Sequence, residues 1–236
     1  MHCLSLSWPA YAASSLLGPT KASLGMHTVH QLASTPNVLV FMGSRKIAAA
    51  EEALAKFASD VHPSSTVVPI QVDITDDASI KSAHASISKH LQGKNLPGLD
   101  VLVNNAAVVG SSFEATYAVN VFGTVAITDA IRPLLNNGGA ILNISSNLGS
   151  LHGYTQRPPP PVYLSYSSSK SALNSLTLQW AIQEEQKGSN IRVVSINPGY
   201  NATNLNNYRG TMDPQSDGCK VIVKAALEKE GKERVG

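Results

Sequence analysis

The chain has 236 residues, of which 43% are hydrophobic and 14% charged, and its formal net charge is +2. This length and apolar content predict one large α/β domain, and the small net charge does not indicate nucleic-acid binding. Cys3 and Cys219 lie too far apart in sequence to suggest a disulfide framework. Since no apolar run approaches the roughly 20 residues that span a membrane, we expect a cytoplasmic protein with neither a membrane nor a nucleic-acid partner.

The first 17 residues form an atypical N-terminal segment. They lack the basic start of a secretory signal and the arginines of a transit peptide. Pro9 is incompatible with a central strand, so residues 14–17 are what remains for a first strand. We therefore predict an atypical segment at 1–17, a single domain at 18–236, and a possibly degraded first strand.

Strand and helix patterns alternate through the rest of the chain. Such alternation predicts a doubly wound parallel sheet with helices on both faces. Between the last two strands, four consecutive prolines at 158–161 predict an extended rim loop, from about residue 153, beside the site; a docking site for a proline-recognising module is the alternative. The polar residues 204–217 predict a mobile substrate lid. The predicted strands are 37–42, 66–73, 99–103, 141–146 and 190–196, and the predicted helices are 25–36, 47–58, 80–91, 113–135, 163–187 and 221–230.

Tyr166 and Lys170 are four residues apart within the predicted helix at 163–187, so both side chains face one side, one turn apart. A nearby cation favours tyrosinate, and we expect Lys170 to lower the pKa of Tyr166. Bringing the phenol from about 10 to about 7 requires a shift of about 3 units, or about 4 kcal/mol. The pair alone is weak evidence, because this spacing also occurs by chance.

Polar residues close three of the predicted strands. Ser145 and Ser146 end one strand, Asn104 with Asn105 ends another, and the sequence Asn-Pro-Gly at 197–199 follows a third. Open α/β sheets place their ligands at the carboxyl ends of their strands. The sequence therefore predicts a binding site where these polar residues meet.

Together these motifs resemble the short-chain dehydrogenase/reductase family, and in detail its single-domain fungal and bacterial carbonyl reductases. The resemblance extends from about residue 18 to about residue 229. It implies a Rossmann-like fold in which Tyr166 is the general acid and Ser146 binds the substrate oxygen. Lys170 would hold the nicotinamide ribose, and the main chain of Asn120 would hold a water linked to Lys170. The implied catalytic residues are Ser146, Tyr166, Lys170 and Asn120.

The glycine-rich turn of that family is altered here. The family pattern is Thr-Gly-x-x-x-Gly-x-Gly, whereas Gly18 and Gly25 match its outer glycines only with one extra residue between them. A Cβ at Ala22 or Ser23 would crowd the approach of a pyrophosphate to the backbone amides, although Ser23 or Thr20 could donate a hydroxyl instead. A wrong gene start, a missed exon boundary or a truly altered loop would each produce this pattern. Our candidate pyrophosphate-binding residues are Gly18, Ser23, Leu24 and Gly25.

The resemblance also implies the other cofactor contacts. At the end of the second family strand there is no acidic residue, and Arg45 is placed for the phosphate of NADP(H), which we favour over NAD(H); a solvated basic turn is the alternative. Asp73 and Ile74 would lie beside the adenine, although Asp73 could also cap the next helix. Further candidate contacts are Asn104, Ala106, Tyr166, Lys170, Pro198, Gly199 and Thr203, of which Thr203 is the candidate for the carboxamide.

We therefore predict an NADP(H)-dependent oxidoreductase that reduces a carbonyl, or oxidises an alcohol, by hydride transfer. The alternative is a weak or inactive relative that binds a metabolite or a partner. The histidines lack metal-ligand spacing, so no metal is expected. The expected partner is a small carbonyl or alcohol substrate, and the resemblance allows a homodimer or a homotetramer.

Overall fold

The computed structural model describes residues 23–110, 112–156 and 163–228. Within these residues five strands pair in parallel, β1 with β2 in one sheet and β3, β4 and β5 in that order in a second. Pro69 lies in β2, which has one neighbouring strand, β1, among the described residues. A proline has no N–H group to donate to a second neighbour, so it is expected in a strand at the edge of a sheet. The strands are β1 (Leu39–Ser44), β2 (Thr66–Gln71), β3 (Leu99–Asn104), β4 (Leu135–Ile144) and β5 (Arg192–Ile196).

Helices connect the strands, and side chains cap several of them. Ser23 and Asp76 accept backbone N–H groups at the starts of α1 and α3, and Gly188 ends α7 with a φ of 66°. The helices are α1 (Leu24–Ala33), α2 (Ile47–Ala55), α3 (Asp77–Gly93), α4 (Phe113–Tyr117), α5 (Thr124–Ile131), α6 (Leu151–Gln156), α7 (Leu164–Lys187) and α8 (Cys219–Leu227).

Two hydrophobic clusters cover the two faces of the sheets. Helices α1, α2 and α8 pack over one face, where Val40 and Leu142 lie. Helices α3, α5 and α7 pack over the other, where Phe41 and Ile141 lie. Each cluster takes strand residues from both sheets, and neighbouring strand residues alternate between them. The predicted doubly wound α/β fold is confirmed.

The predicted long helix at 113–135 is wrong as one element. After α4 the chain forms a π-helical segment, Ala118–Gly123, then α5, then a short 3₁₀ turn that contains Pro133. The hydroxyl of Thr124 donates to the carbonyl of Asn120 and competes with the helical ladder. Pro133 cannot continue the helix, because it lacks an N–H group, and β4 begins at Leu135.

Several element boundaries also differ from prediction. Helix α2 ends at Ala55 and a 3₁₀ turn, Ala58–Asp60, follows. Strand β4 ends at Ile144, before both serines, and residues 151–156 form α6 where a loop was expected. The predicted lid at 204–217 is folded, because it contains a 3₁₀ turn at Asn204–Asn206 and a π-helical turn at Pro214–Gly218. Its predicted mobility stays a prediction.

Some predictions fall outside the described residues. These are the first strand at 14–17, the domain boundary at residue 17, Gly18, and the four prolines at 158–161. Among the residues that are described, no helix is both long enough and apolar enough to cross a membrane.

A buried ion pair joins α5 to α7 at the end of the sheet remote from the polar strand ends. Arg132 contacts Glu184, and their side chains are 11% and 3% exposed. Burial alone would raise the pKa of Glu184, but hydrogen bonds from Ser189 and Arg132, with the charge of Arg132, together lower it. The carboxylate is therefore more stable in the folded chain than in the unfolded chain.

We predict that Glu184→Ala lowers the free energy of unfolding by about 3–5 kcal/mol, because the guanidinium of Arg132 stays buried without its partner. Urea unfolding at pH 7 measures this loss. The contribution of the pair should disappear as the pH falls through the lowered pKa of Glu184. Gln186→Ala, at an exposed position of the same helix, is the control and should change stability by less than about 0.5 kcal/mol. An equal loss of unfolding free energy in both variants would contradict the stabilising role of the pair between Arg132 and Glu184.

Candidate active site

Lys170 lies at the centre of the candidate site. Its side chain comes from α7 and is 2% exposed, and its Nζ donates a hydrogen bond of 2.7 Å to the carbonyl of Ile144, the last residue of β4. Burial lowers the pKa of Lys170 to about 8. The ammonium is therefore still the main form at pH 7, but a modest rise in pH removes it.

Tyr166 lies one turn before Lys170, as predicted, with the ammonium 5.6 Å from the centre of its ring. Burial raises the pKa of Tyr166 to about 12, and a hydrogen bond with Ser146 only partly opposes this. The lowering of this pKa that was expected from Lys170 is not found, because desolvation of the phenolate is the largest effect and the group that opposes it is Ser146. Tyr166 is therefore a neutral phenol at physiological pH.

The two serines after β4 have different surroundings. Ser145 is buried and donates to Asn174 Oδ1 at 2.7 Å. Ser146 is partly exposed and its hydroxyl interacts with Tyr166, while it also accepts the N–H of Leu148 at 3.2 Å. The structure thus brings Ser146 and Tyr166 together, whereas Ser145 is directed into the packing of α7.

Asn120 is fully buried in the π-helical segment. Its side chain accepts the N–H of Val108 at 2.8 Å and donates to the carbonyl of the same residue at 3.0 Å. It also donates to Ser169 Oγ at 3.0 Å, next to Lys170. This buried side chain therefore connects the segment after β3 to α7.

On the other side of the site, α1 begins at Leu24. Ser23 accepts the N–H of Met26 at 3.2 Å and is 8% exposed, and Gly25 is buried in the first turn. A helix N-terminus of this kind favours an anionic group. Ser23 still has a hydroxyl proton to donate there, as the sequence suggested.

Arg45 is exposed directly after β1, and it lies close enough to Asp73 to lower the pKa of that carboxyl electrostatically. The largest lowering comes from Thr75, whose hydroxyl donates to Asp73 at 2.6 Å and whose N–H donates at 2.9 Å. The alternative role of Asp73 as a helix cap is wrong, because Asp76 caps α3. Arg45 and Asp73 are thus neighbours at adjacent strand ends.

Three of the predicted cofactor residues, Ile74, Asn104 and Ala106, line one pocket beside α5. Asn104 donates to Asn143 and to Thr128, both at 2.8 Å, while its Oδ1 is buried without a hydrogen-bond partner among the described residues. An unpaired buried acceptor is costly. Its presence at this pocket is compatible with a ligand that donates a hydrogen bond.

The segment after β5 begins with Pro198 and Gly199, where φ is 85°. The buried amide of Asn201 donates to the carbonyls of both residues, at 2.9 and 3.1 Å. The carbonyl of Thr203 accepts the N–H of Asn206 at 3.2 Å, and the N–H of Thr203 donates to Asn206 Oδ1 at 3.2 Å. Thr203 therefore lies in the segment after β5, with its backbone groups used internally.

Sequence reasoning did not identify the polar residues that hold these strand ends. Asn143, Thr177, Asn174 and Asn201 all have buried or partly buried hydrogen bonds. The available signal was a pair of polar residues on α7, at 174 and 177, on the side that faces the sheet. A helix face that packs on a sheet is usually apolar.

Comparison with known proteins agrees with this geometry. The model of the short chain dehydrogenase family matches residues 20–214, so the chain belongs to that family. Its members are NAD(P)-dependent oxidoreductases, and this chain is one of them. The short-chain dehydrogenase anuI of Penicillium roqueforti is 31% identical over 240 residues, which cover 94% of this chain and 91% of that protein.

Solved structures give the same result. The NADPH-bound carbonyl reductase from chicken fatty liver is 29% identical with a TM-score of 0.69, covering 87% of this chain and 84% of that one. Salutaridine reductase from Papaver somniferum is 20% identical with a TM-score of 0.76 and covers 94% and 97% of the two chains. This second likeness concerns the fold alone.

Proposed function

We propose that the protein reduces a carbonyl compound with NADP(H), using Tyr166 as the proton donor. The observation that carries the proposal is the contact of Ser146 with the Tyr166 phenol beside the buried ammonium of Lys170. The cofactor, when bound, supplies the hydride. The residues of this chain bind and orient the carbonyl and supply the proton.

The protonation states favour reduction. Because burial raises the pKa of Tyr166 to about 12, the phenol carries a proton throughout the physiological range. Ser146, which interacts with the same phenol, is in position to donate a hydrogen bond to the developing alkoxide. Alcohol oxidation would instead need the tyrosinate, which this environment disfavours.

We further propose which residues hold the dinucleotide. The N-terminus of α1, with Ser23, Leu24 and Gly25, and with Gly18 before it in sequence, would take the pyrophosphate. The pocket at Ile74, Asn104 and Ala106, beside Asp73, would take the adenine side. Arg45, which has a free face to solvent, would pair with the 2′-phosphate of NADP(H). Remaining contacts would come from Tyr166, Lys170, Pro198, Gly199 and Thr203 at the nicotinamide end.

We also propose that the substrate is uncharged. Residues 105–110, 145–156 and 197–208, which directly follow β3, β4 and β5, contain His152 as their one ionisable residue other than tyrosine, and Arg209 and Asp213 come further along the segment after β5. In the whole chain 14% of the residues are charged. The scarcity of charged residues in these loops therefore distinguishes the substrate side from the rest of the surface. Among the described loop residues nearest the strand ends, a carboxylate or phosphate on the substrate would find no cation; Lys170 is buried and Arg209 lies beyond Tyr208.

We predict that Tyr166→Phe lowers kcat for reduction of uncharged aromatic ketones by about 10²–10⁴-fold, because the proton donor is removed. NADPH binding, followed by tryptophan fluorescence, should be retained. Tyr163→Phe, three residues earlier, is the matched control and should keep its activity. Full activity of Tyr166→Phe would refute the acid role, and faster reduction of carboxylated analogues would refute the uncharged substrate. A folded wild-type chain that binds no NADPH would instead indicate the inactive relative.

The pH dependence follows from Lys170. We expect kcat/KM for reduction to be level up to about pH 7 and to fall above about pH 8, because the ammonium of Lys170 loses its proton there while Tyr166 keeps its own. Stopped-flow NADPH oxidation across pH 6–10 measures this profile. In Lys170→Arg the fall near pH 8 should vanish, whatever the remaining rate. An unchanged profile in that variant would assign the pKa to another group.

Arg45 tests the cofactor preference. We predict that Arg45→Ala weakens NADPH binding by about tenfold and leaves NADH binding within about twofold, because one charge-assisted contact to the phosphate is lost. Fluorescence titration with each cofactor measures both values. Lys46→Ala, which removes the neighbouring exposed cation, controls for net charge. Equal weakening of NADPH by both variants would mean that the turn attracts the cofactor only through its overall charge.

A further inference from the structure

The side chain of Asn174 connects three elements at the carboxyl end of the sheet. Its Oδ1 accepts the hydroxyl of Ser145 at 2.7 Å and that of Ser195 at 2.8 Å. Its Nδ2 donates to the carbonyl of Gly149 at 3.1 Å. One side chain of α7 therefore holds the ends of β4 and β5 and the turn that follows β4.

Two of these three contacts lie on either side of Ser146. Ser145 precedes it, and Gly149 closes the 3₁₀ turn that Ser146 begins. Within this turn Gly149 donates its N–H to the carbonyl of Ser146 at 2.9 Å, and Leu148 donates its N–H to Ser146 Oγ at 3.2 Å. Ser146 itself lies beyond the last residue of β4, so the strand ladder does not fix its position.

The turn is also pressed against α7. A Cβ on Gly149 would lie 2.8 Å from the backbone carbon of Lys170 and 2.9 Å from its Cβ, distances that real side chains do not adopt. Ser171 adds a second hydrogen bond to the Gly149 carbonyl at 3.1 Å. Close approach and hydrogen bonding thus set the distance between the turn and the helix that carries Tyr166.

We propose that Asn174 is a positioning residue that holds Ser146 against Tyr166. The proposal rests on the proposed function, in which Ser146 binds the substrate oxygen. Asn174 does not touch the reacting groups; it fixes the residues before and after Ser146, so that the serine hydroxyl meets the phenol of α7. Small displacements of such a group are costly, since a shift of about 1 Å can reduce a rate about 10²-fold.

The chain offers a matched pair of variants. Ser145→Ala and Ser195→Ala each remove one hydroxyl from the same Asn174 oxygen, but only Ser145 adjoins Ser146. We expect Asn174→Ala to lower kcat by about 10–100-fold and Ser145→Ala by about tenfold. Ser195→Ala should stay within about twofold, and KM for NADPH should change little in all three. Equal losses in Ser145→Ala and Ser195→Ala would overturn the proposal.

A double-mutant cycle separates positioning from general stability. If Asn174 acts through Ser146, Asn174→Ala should lower kcat no further in a Ser146→Ala background. Multiplicative losses in the double variant would show that Asn174 acts elsewhere and would overturn the proposal. If Asn174→Ala does not fold, the same cycle is run with Ser145→Ala.

A readout without turnover distinguishes this proposal from the proposed function. We expect amide hydrogen exchange of Leu148 and Gly149 to accelerate at least about tenfold in Asn174→Ala and in Ser145→Ala, but not in Ser195→Ala. Unchanged exchange would overturn the positioning role even in an active enzyme. Accelerated exchange in a chain that reduces no carbonyl would support the positioning of Ser146 and reject only the catalytic function.

Discussion

The buried ammonium of Lys170 is the constraint on which the rest of the site depends. A charge that is 2% exposed requires a hydrogen-bond acceptor, and the carbonyl of Ile144 provides one at 2.7 Å. That carbonyl belongs to the last residue of β4, so satisfying the charge ties α7 to the strand end where Ser146 begins the next turn. The position of Tyr166 then follows from helical spacing alone, because it lies one turn before Lys170 on the same face. A single desolvated cation thereby sets the relation of helix, strand and serine.

The remaining polar groups at this edge extend the same constraint across β3, β4 and α7. Asn104 donates to Asn143, and Asn143 donates to Thr177 of α7, with both bonds at 2.8 Å and all three residues buried. Asn120 adds a link from the segment after β3 to α7, since its amide bonds both the backbone of Val108 and the hydroxyl of Ser169. Buried polar networks of this kind are favourable only when their members are satisfied. The Oδ1 of Asn104 has no hydrogen-bond partner among the described residues, which is a cost to this network.

The sequence predicted the alternating elements well, because apolar runs such as residues 38–42 are buried on both faces of a parallel sheet. It also predicted that Tyr166 and Lys170 share a helix face. It did not predict the break in the helix at 118–123, where the Thr124 hydroxyl bonds the Asn120 carbonyl, since a single π-helical turn is too short to change the apolar pattern of the segment. The direction of the Tyr166 pKa was also wrong, because the sequence shows the neighbouring charge but not the burial that opposes it. The role of Asn174 was not predicted, because its partners Ser145, Ser195 and Gly149 are brought together only by tertiary packing, although a polar residue on the sheet-facing side of α7 was the available signal.

The two pKa shifts have one cause, and this cause links structure to the direction of the reaction. Desolvation disfavours every charge, so it raises the pKa of Tyr166 to about 12 and lowers that of Lys170 to about 8. A site that had to remove a proton from an alcohol at neutral pH would need the opposite shift at the tyrosine. A site that donates a proton to a carbonyl needs the neutral phenol that burial stabilises. It also needs a hydrogen bond, here from Ser146, that stabilises the negative charge developing on the substrate oxygen. In the free chain the tyrosine therefore keeps the proton that the proposed reduction requires, and the charge of a bound cofactor would shift its pKa in turn.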